Sequence, residues 1–318
     1  MNRVLPEPFA IDWVLACVRG SSFGTPYYFV GAETVRRVVR PVVRPGDQAV
    51  AVDFTFDRAH RQLRATVVAG AAVDLTDLTD LTDLTDLTDL TDLTDLTDHL
   101  WGLSDDLTAC YAALSADPLL QPLVARFAGL RLIRAASLYE ALISAILGQQ
   151  ISVASAQSIR RRLMAHLGDR VTVDGADFVA YPSPSRLLAA GPDGLQALGV
   201  TRQKSRYLLA VAEHAADGYL EHTEFAGLDD AEAVARLCTI PGIGRWTAEV
   251  ALMYGLGRPD ICFAGDLALQ VAVQRLLGRQ DRPGEQELRR LGERWAGWRS
   301  YASLYLLMAL KQPQDVID

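Results

Sequence analysis

The chain has 318 residues, half of them apolar, with 39 acids against 31 bases and a formal charge of −8. That length allows a large core or two domains, while no apolar run approaches the roughly 18 residues of a membrane-spanning helix. Four scattered cysteines, Cys17, Cys110, Cys238 and Cys262, lack the CxxC spacing of a zinc site or a disulfide framework and are expected to be small buried residues. The opening MNRVLPEPFAIDW has no apolar segment of the signal-peptide kind, so a soluble, cytoplasmic protein with no membrane partner is expected.

Residues 1–73 read as a small antiparallel β-sheet domain. A helix is predicted near Trp13–Val18 and a strand within Val35–Val43. Val50, Val52, Phe54 and Phe56 then alternate with polar or small residues, as do Leu63, Ala65 and Val67 after a polar turn, which is the signature of a two-strand hairpin. Residues 74–98 repeat Asp-Leu-Thr eight times and close on Asp98. Leucine at every third position gathers on neither a helix face nor a strand face, and Asp and Thr are weak helix formers, so the tract is predicted to be a low-complexity surface insertion. It also explains the acidity: without its nine carboxylates, 30 acids face 31 bases. A near-neutral remainder is compatible with a local basic patch, for which Arg160, Arg161, Arg162, Arg202, Lys204, Arg206 and Arg245 are candidates, though each equally suits a solvated helix face.

Residues 99–318 read as an all-helical body, giving an α+β chain overall. Ser137, Ser152, Ser183 and Thr201 stand at predicted N-caps, with Glu140 at the capping-box position after Ser137. Trp295, Trp298, Tyr301 and Tyr305 are expected to pack the last helix. The most informative stretch is Ile240–Asp266, IPGIGRWTAEVALMYGLGRPDICFAGD. Asp229 and Glu232 signal an upstream helix that Pro241 stops, Gly242 and Gly244 permit a tight hairpin, and a second helix starts at Arg245 with Trp246, Val250 and Met253 on one side. A glycine turn entering a helix offers backbone N–H groups to a phosphate. The segment ends on Asp266, the predicted N-cap of a helix over Leu267–Leu277.

Leu237–Ala248 followed by Asp266 resembles the helix-hairpin-helix DNA glycosylases (the HhH-GPD superfamily), whose pattern is LxxIPGIGxxTA with an essential Asp about twenty residues on. AILGQQIS at 145–152, PSPSRL at 182–187 and LGVTRQKSRYL at 198–208 extend the likeness towards the monofunctional 3-methyladenine glycosylase II (AlkA-like) type. The resemblance implies excision of alkylated purines from damaged double-stranded DNA in base excision repair, by a monomer, leaving an abasic site. It assigns catalysis to Asp266, the base pocket to Trp246, the wedge that fills the emptied duplex to Gln150, and phosphate contacts to Gly242, Ile243, Gly244 and Arg245. A monovalent cation, Na+ or K+, is implied on the backbone carbonyls of Cys238, Ile240 and Ile243. No cofactor is required, and with no Cys after Cys262 no iron-sulfur cluster is expected. The chain departs from its relatives at Cys17, Val250 and Leu307, where they place pocket aromatics.

Chemistry supports the assignment. Breaking an N-glycosidic bond develops oxocarbenium character, so a fixed anion near the sugar stabilises the transition state. Strand-cleaving relatives carry a Schiff-base Lys where this chain has Trp246, and its only lysines are Lys204 and Lys311, so no lyase activity is expected. Two alternatives stay open: a glycosylase for uracil, hypoxanthine or an oxidised base, and a non-catalytic helix-hairpin-helix DNA-binding protein.

Overall fold

The alternating segments pair as expected. In a computed structural model, which describes residues 1–19, 27–40, 49–70 and 93–311, strands β1 (Asn2–Val4), β2 (Tyr27–Phe29), β3 (Thr34–Val39), β4 (Val50–Asp57) and β5 (Gln62–Gly70) form one antiparallel sheet in the order β1-β5-β4-β3-β2. Val52, Phe54 and Phe56 of β4 and Leu63 and Ala65 of β5 are buried on its inner face, as period-two patterning requires. Helix α1 (Ile11–Arg19) buries Val14, Leu15 and Val18 in that core, while Trp13 and Cys17 pack on the helical body. Two cores therefore share one short helix. Residues 41–43 of the strand expected within Val35–Val43, and 71–92 of the repeat region, lie outside the described residues.

Helix α2 (Leu93–Trp101) begins inside the repeat tract. The Thr97 hydroxyl bonds the Leu93 carbonyl at 2.6 Å and Asp98 pairs with Arg3. The anchor is the fully buried Trp101, whose ring lies 5.0 Å from Phe56 and 5.4 Å from both Phe54 and Tyr27. Residues 93–98 thus belong to the fold rather than to the insertion expected over 74–98, because the aromatic that follows them recruits them to the sheet.

Among the described residues, eleven further α-helices make the body: α3 (Leu107–Leu114), α4 (Gln121–Arg126), α5 (Leu138–Gly148), α6 (Val153–Leu167), α7 (Pro184–Ala197), α8 (Arg202–Ala216), α9 (Asp230–Leu237), α10 (Arg245–Leu256), α11 (Leu267–Leu276), α12 (Glu285–Gly292) and α13 (Arg299–Lys311). The side chains of Ser137, Ser152, Ser183 and Thr201 cap α5, α6, α7 and α8. Trp295, Tyr301 and Tyr305 are core residues. The body is mostly, not wholly, helical: β6 (Arg170–Val173) and β7 (Ala176–Val179) form a hairpin through Asp174 and Gly175, at φ +51 and +79. Asp-Gly between alternating residues favours a turn with two positive φ angles, and that local signal overrides the helical context. Val171 and Val173 then pack beneath the N-terminal sheet against Val38, Ala49 and Ala51.

Helix α5 is the axis of the body, with every residue from Leu138 to Leu147 buried. It lies close against α10 because Gly255 has no side chain: a Cβ there would stand 2.9 Å from Leu138 Cα and 3.0 Å from Ala141 Cβ. At its N-terminus Glu140 does not close the expected capping box. Its carboxylate instead accepts the Ala136 N–H at 2.9 Å and pairs with the buried Arg37 of β3, which also donates to the Arg134 carbonyl and the Tyr27 hydroxyl, both at 3.0 Å. Such a pair is tolerable in the interior because its remaining polar contacts are largely satisfied.

His99, in the last turn of α2, places Nε2 3.0 Å from the Ala135 carbonyl oxygen. Burial, reinforced by the Arg134 guanidinium, holds its imidazole down at about 3 against an ordinary 6.5. The unfolded chain therefore binds more protons between these values, so stability is full above about pH 6.5 and falls as pH drops, by at most ~1.4 kcal/mol per pH unit. Replacing His99 by Gln, which keeps a donor, is expected to flatten this fall. Urea midpoints of both proteins at pH 7 and pH 5 measure it, and equal slopes would refute the assignment.

Candidate active site

Helix α9 opens with a complete capping box, Asp229 accepting the Glu232 N–H at 2.8 Å and Glu232 accepting the Asp229 N–H at 2.9 Å. Gly242 then turns the chain at φ +87, and Gly244 is the N-cap of α10. Gly242 is required twice over, since a Cβ there would also lie 2.0 Å from Cγ of Tyr207 on α8. No side chain caps α10, so its first amides have no side-chain partner. The Ile243 N–H is different: it donates to the Ile240 carbonyl at 3.1 Å, so among the four expected phosphate positions this amide is spent inside the hairpin. The Arg245 guanidinium folds back onto Glu249 at 2.9 Å.

Asp266 is the N-cap of α11 and is tied through both oxygens. Oδ1 accepts the Leu269 N–H at 2.9 Å, and Oδ2 accepts the Trp246 indole N–H at 3.1 Å. The two donors, one from the first turn of α11 and one from α10, fix the orientation of the carboxylate. The loop that carries it is held from behind, where Arg289 of α12 donates to the Cys262 carbonyl at 2.9 Å and to the buried Glu249 at 3.1 Å. Trp246 and Asp266, twenty residues apart in sequence, thus form one unit.

Trp246, Val250 and Tyr254 follow at i, i+4 and i+8 on one face of α10. Tyr254 keeps partial solvent access although Leu252, Met253 and Gly255 beside it are buried. Burial pushes its phenol up, with the Cys17 thiol and the Asp266 carboxylate acting in the same direction, so the hydroxyl stays protonated within electrostatic reach of both. Cys17 Sγ lies 3.5 Å from Met308 Sδ of α13, and burial lifts its thiol to about 11, leaving a neutral, unreactive sulfur. Sequence reasoning missed Tyr254; its spacing from Trp246 was the available signal.

Gln150 sits exposed between α5 and α6 at φ +55, a conformation uncommon outside glycine. Its neighbour Gln149, also missed, joins this turn to the hairpin: Nε2 donates to the Gly242 carbonyl at 3.1 Å and to Thr247 Oγ1 at 2.9 Å. Two residues leave the candidate basic patch. Arg160 is buried and bonds the Ser144 hydroxyl at 3.1 Å, and Lys204 is buried with Nζ 2.9 Å from the Leu147 carbonyl, its pKa lowered by desolvation. Arg161, Arg162, Arg202, Arg206 and Arg245 remain exposed. Of the cysteines, Cys110 is buried as expected but Cys238 is exposed, because it follows the last turn of α9. Among the described residues no three His, Cys, Asp or Glu side chains gather as a metal site, and no helix is long and apolar enough to cross a membrane.

An uncapped helix start after a glycine hairpin presents backbone N–H groups suited to an anion, and the anchored Asp266 carboxylate stands at the start of the next helix. The chain belongs to the HhH-GPD superfamily of base excision DNA repair proteins, whose family model matches residues 143–297. It is 33% identical over 213 residues to the DNA-3-methyladenine glycosylase of Bacillus subtilis, covering 67% of this chain and 70% of that one. It is 36% identical over 178 residues to DNA-3-methyladenine glycosylase 2 of Escherichia coli, covering 56% and 60% respectively. The fold is shared with a 3-methyladenine DNA glycosylase of Archaeoglobus fulgidus, with a TM-score of 0.79, 99% of both chains covered and 24% identity.

The hairpin yields a direct test. Gly242→Ala combines a positive φ with a collision against Tyr207 and is expected to cost more than about 2 kcal/mol in chemical denaturation. Adding Tyr207→Ala should recover part of that loss; a Gly242→Ala protein as stable as the parent would contradict the close approach.

Proposed function

We propose that this chain is a monofunctional DNA glycosylase that flips alkylated purines of the 3-methyladenine type out of double-stranded DNA and hydrolyses their N-glycosidic bond. The observation that carries this reading is the Asp266 carboxylate fixed by the Leu269 amide and the Trp246 indole. Such an anion needs little reorganisation to meet positive charge developing on a deoxyribose. Water is then the nucleophile that completes the reaction and leaves an abasic site.

Trp246 offers a face on which an electron-poor or cationic alkylpurine stacks, and Tyr254, Cys17 and Met308 form the remaining walls. Val250 and Leu307 take the place of aromatics found in relatives, which makes this pocket less aromatic than theirs. Gln150 enters the gap left by the flipped base, whose removal from the stack costs a few kcal/mol. The amides at Gly244 and Arg245, with Gly242 allowing close approach, receive the backbone phosphate. Ile240 and Ile243 are buried and Cys238 is exposed; the Ile240 carbonyl already accepts one hydrogen bond, and a carbonyl oxygen has a second lone pair for a cation. These three carbonyls would hold Na+ or K+ beside the phosphate. The protein would work as a monomer, in the cytoplasm, and at the nucleoid in a bacterial cell.

The relatives named for 3-methyladenine support this substrate class over uracil, hypoxanthine or an oxidised base, and Asp266 separates it from a binding-only role, in which that carboxylate would serve only as the cap of α11. Replacing Asp266 by Asn keeps an oxygen for the Leu269 N–H but turns a donor towards Trp246. It is expected to lower base release from methylated DNA at least 100-fold with duplex affinity within a few-fold of the parent. Borohydride should trap no enzyme–DNA adduct. Undiminished release by the Asn variant, or a trapped adduct, would overturn this mechanism.

A further inference from the structure

The turn carrying Gln150 and the hairpin starting α10 come from segments about ninety residues apart, yet the same side chains brace both. Gln149 Nε2 has two N–H groups and uses both, one on the Gly242 carbonyl at 3.1 Å and one on Thr247 Oγ1 at 2.9 Å. Helix α8 supports the assembly from beneath. Lys204 donates to the Leu147 carbonyl at 2.9 Å in the last turn of α5, and one turn further on Tyr207 fills the space that Gly242 leaves open. The tip itself is solvent-facing: Gln150 is exposed at φ +55, followed by Ile151 at 38% and Val153 at 53% exposure. A side chain in so uncommon a conformation holds its direction only if the backbone on either side is fixed.

We propose that Gln149 is a positioning residue that locks the inserting tip to the phosphate-holding hairpin, so that docking of the backbone sets the depth and register at which Gln150 enters the duplex. The inference rests on the glycosylase reading of the preceding section. A carboxylate at this position would present only acceptors to the Gly242 carbonyl, reversing the contact at nearly constant size. The tip and the hairpin would then move independently, and phosphate binding would no longer aim the wedge.

The test uses a duplex containing a tetrahydrofuran abasic analogue beside 2-aminopurine, whose fluorescence rises when the wedge unstacks it; no bond need be cleaved. Gln149→Glu is expected to reduce that rise at least fivefold and to slow single-turnover release of 3-methyladenine about 10- to 100-fold, with affinity for undamaged duplex changed less than threefold. Combined with Gln150→Ala it should add little to the effect of Gln150→Ala alone. Thr247→Val, which removes one of the two acceptors, should act in the same direction by a smaller factor and stands in if the Glu variant fails to fold. Parental fluorescence and release in both variants, or effects of Gln149→Glu and Gln150→Ala that multiply fully, would overturn the proposal. So would a parent protein that gives no fluorescence rise, even if it releases base. A parent that unstacks the probe but releases no base from any lesion would instead count against the glycosylase reading.

Discussion

The complete burial of α5 is the constraint on which the rest of the molecule depends. A helix with no solvent-facing residue between Leu138 and Leu147 must satisfy its ends through partners from elsewhere, and here each end recruits a different part of the chain. At the N-terminus, Glu140 draws in Arg37 and with it the N-terminal sheet. At the C-terminus, Lys204 takes the Leu147 carbonyl, and Gln149, just past the last turn, reaches the hairpin. The sheet, the turn carrying Gln150 and the glycine hairpin are thereby referred to one buried axis. Gly255 sets the distance from that axis to α10, and so to Trp246 and Asp266.

The site divides between parts that are fixed and parts that vary. Asp266, Trp246 and the amides at the start of α10 are held by hydrogen bonds or by helix geometry, the kind of fixed arrangement that the proposed electrostatic catalysis would need. Around them, α1 meets α13 through a soft contact, Cys17 against Met308. Since α1 also belongs to the sheet core, the N-terminal sheet fixes the position of the α1 face that meets the helical body.

Much of this was legible in the sequence wherever the signal was local. The caps at Ser137, Ser152, Thr201 and Asp229, the alternation from Val50 to Phe56 and the spacing from the hairpin to Asp266 each lie within a short window, and each corresponds to the structure. What escaped depended on distance. Gln149 and Gly242 are 93 positions apart and Arg37 and Glu140 are 103 apart, so nothing in either neighbourhood announces the partner. Arg160 and Lys204 looked like solvated charge because burial of a paired cation has no sequence signature. The β6–β7 hairpin was a different failure: its Asp-Gly signal was present, but the surrounding helical pattern outweighed it. Composition drew the edge of the repeat at Asp98, whereas packing draws it at Leu93, through the pull of Trp101.

The contact between Gly242 and Tyr207 also bears on how such a protein can change over generations. A glycine that leaves no room for one more carbon, facing a ring that fills the gap, resists replacement while that ring is present, so the order of changes matters. Mutational drift at this hairpin is therefore channelled through Tyr207, and the turn is inherited intact wherever that ring is kept.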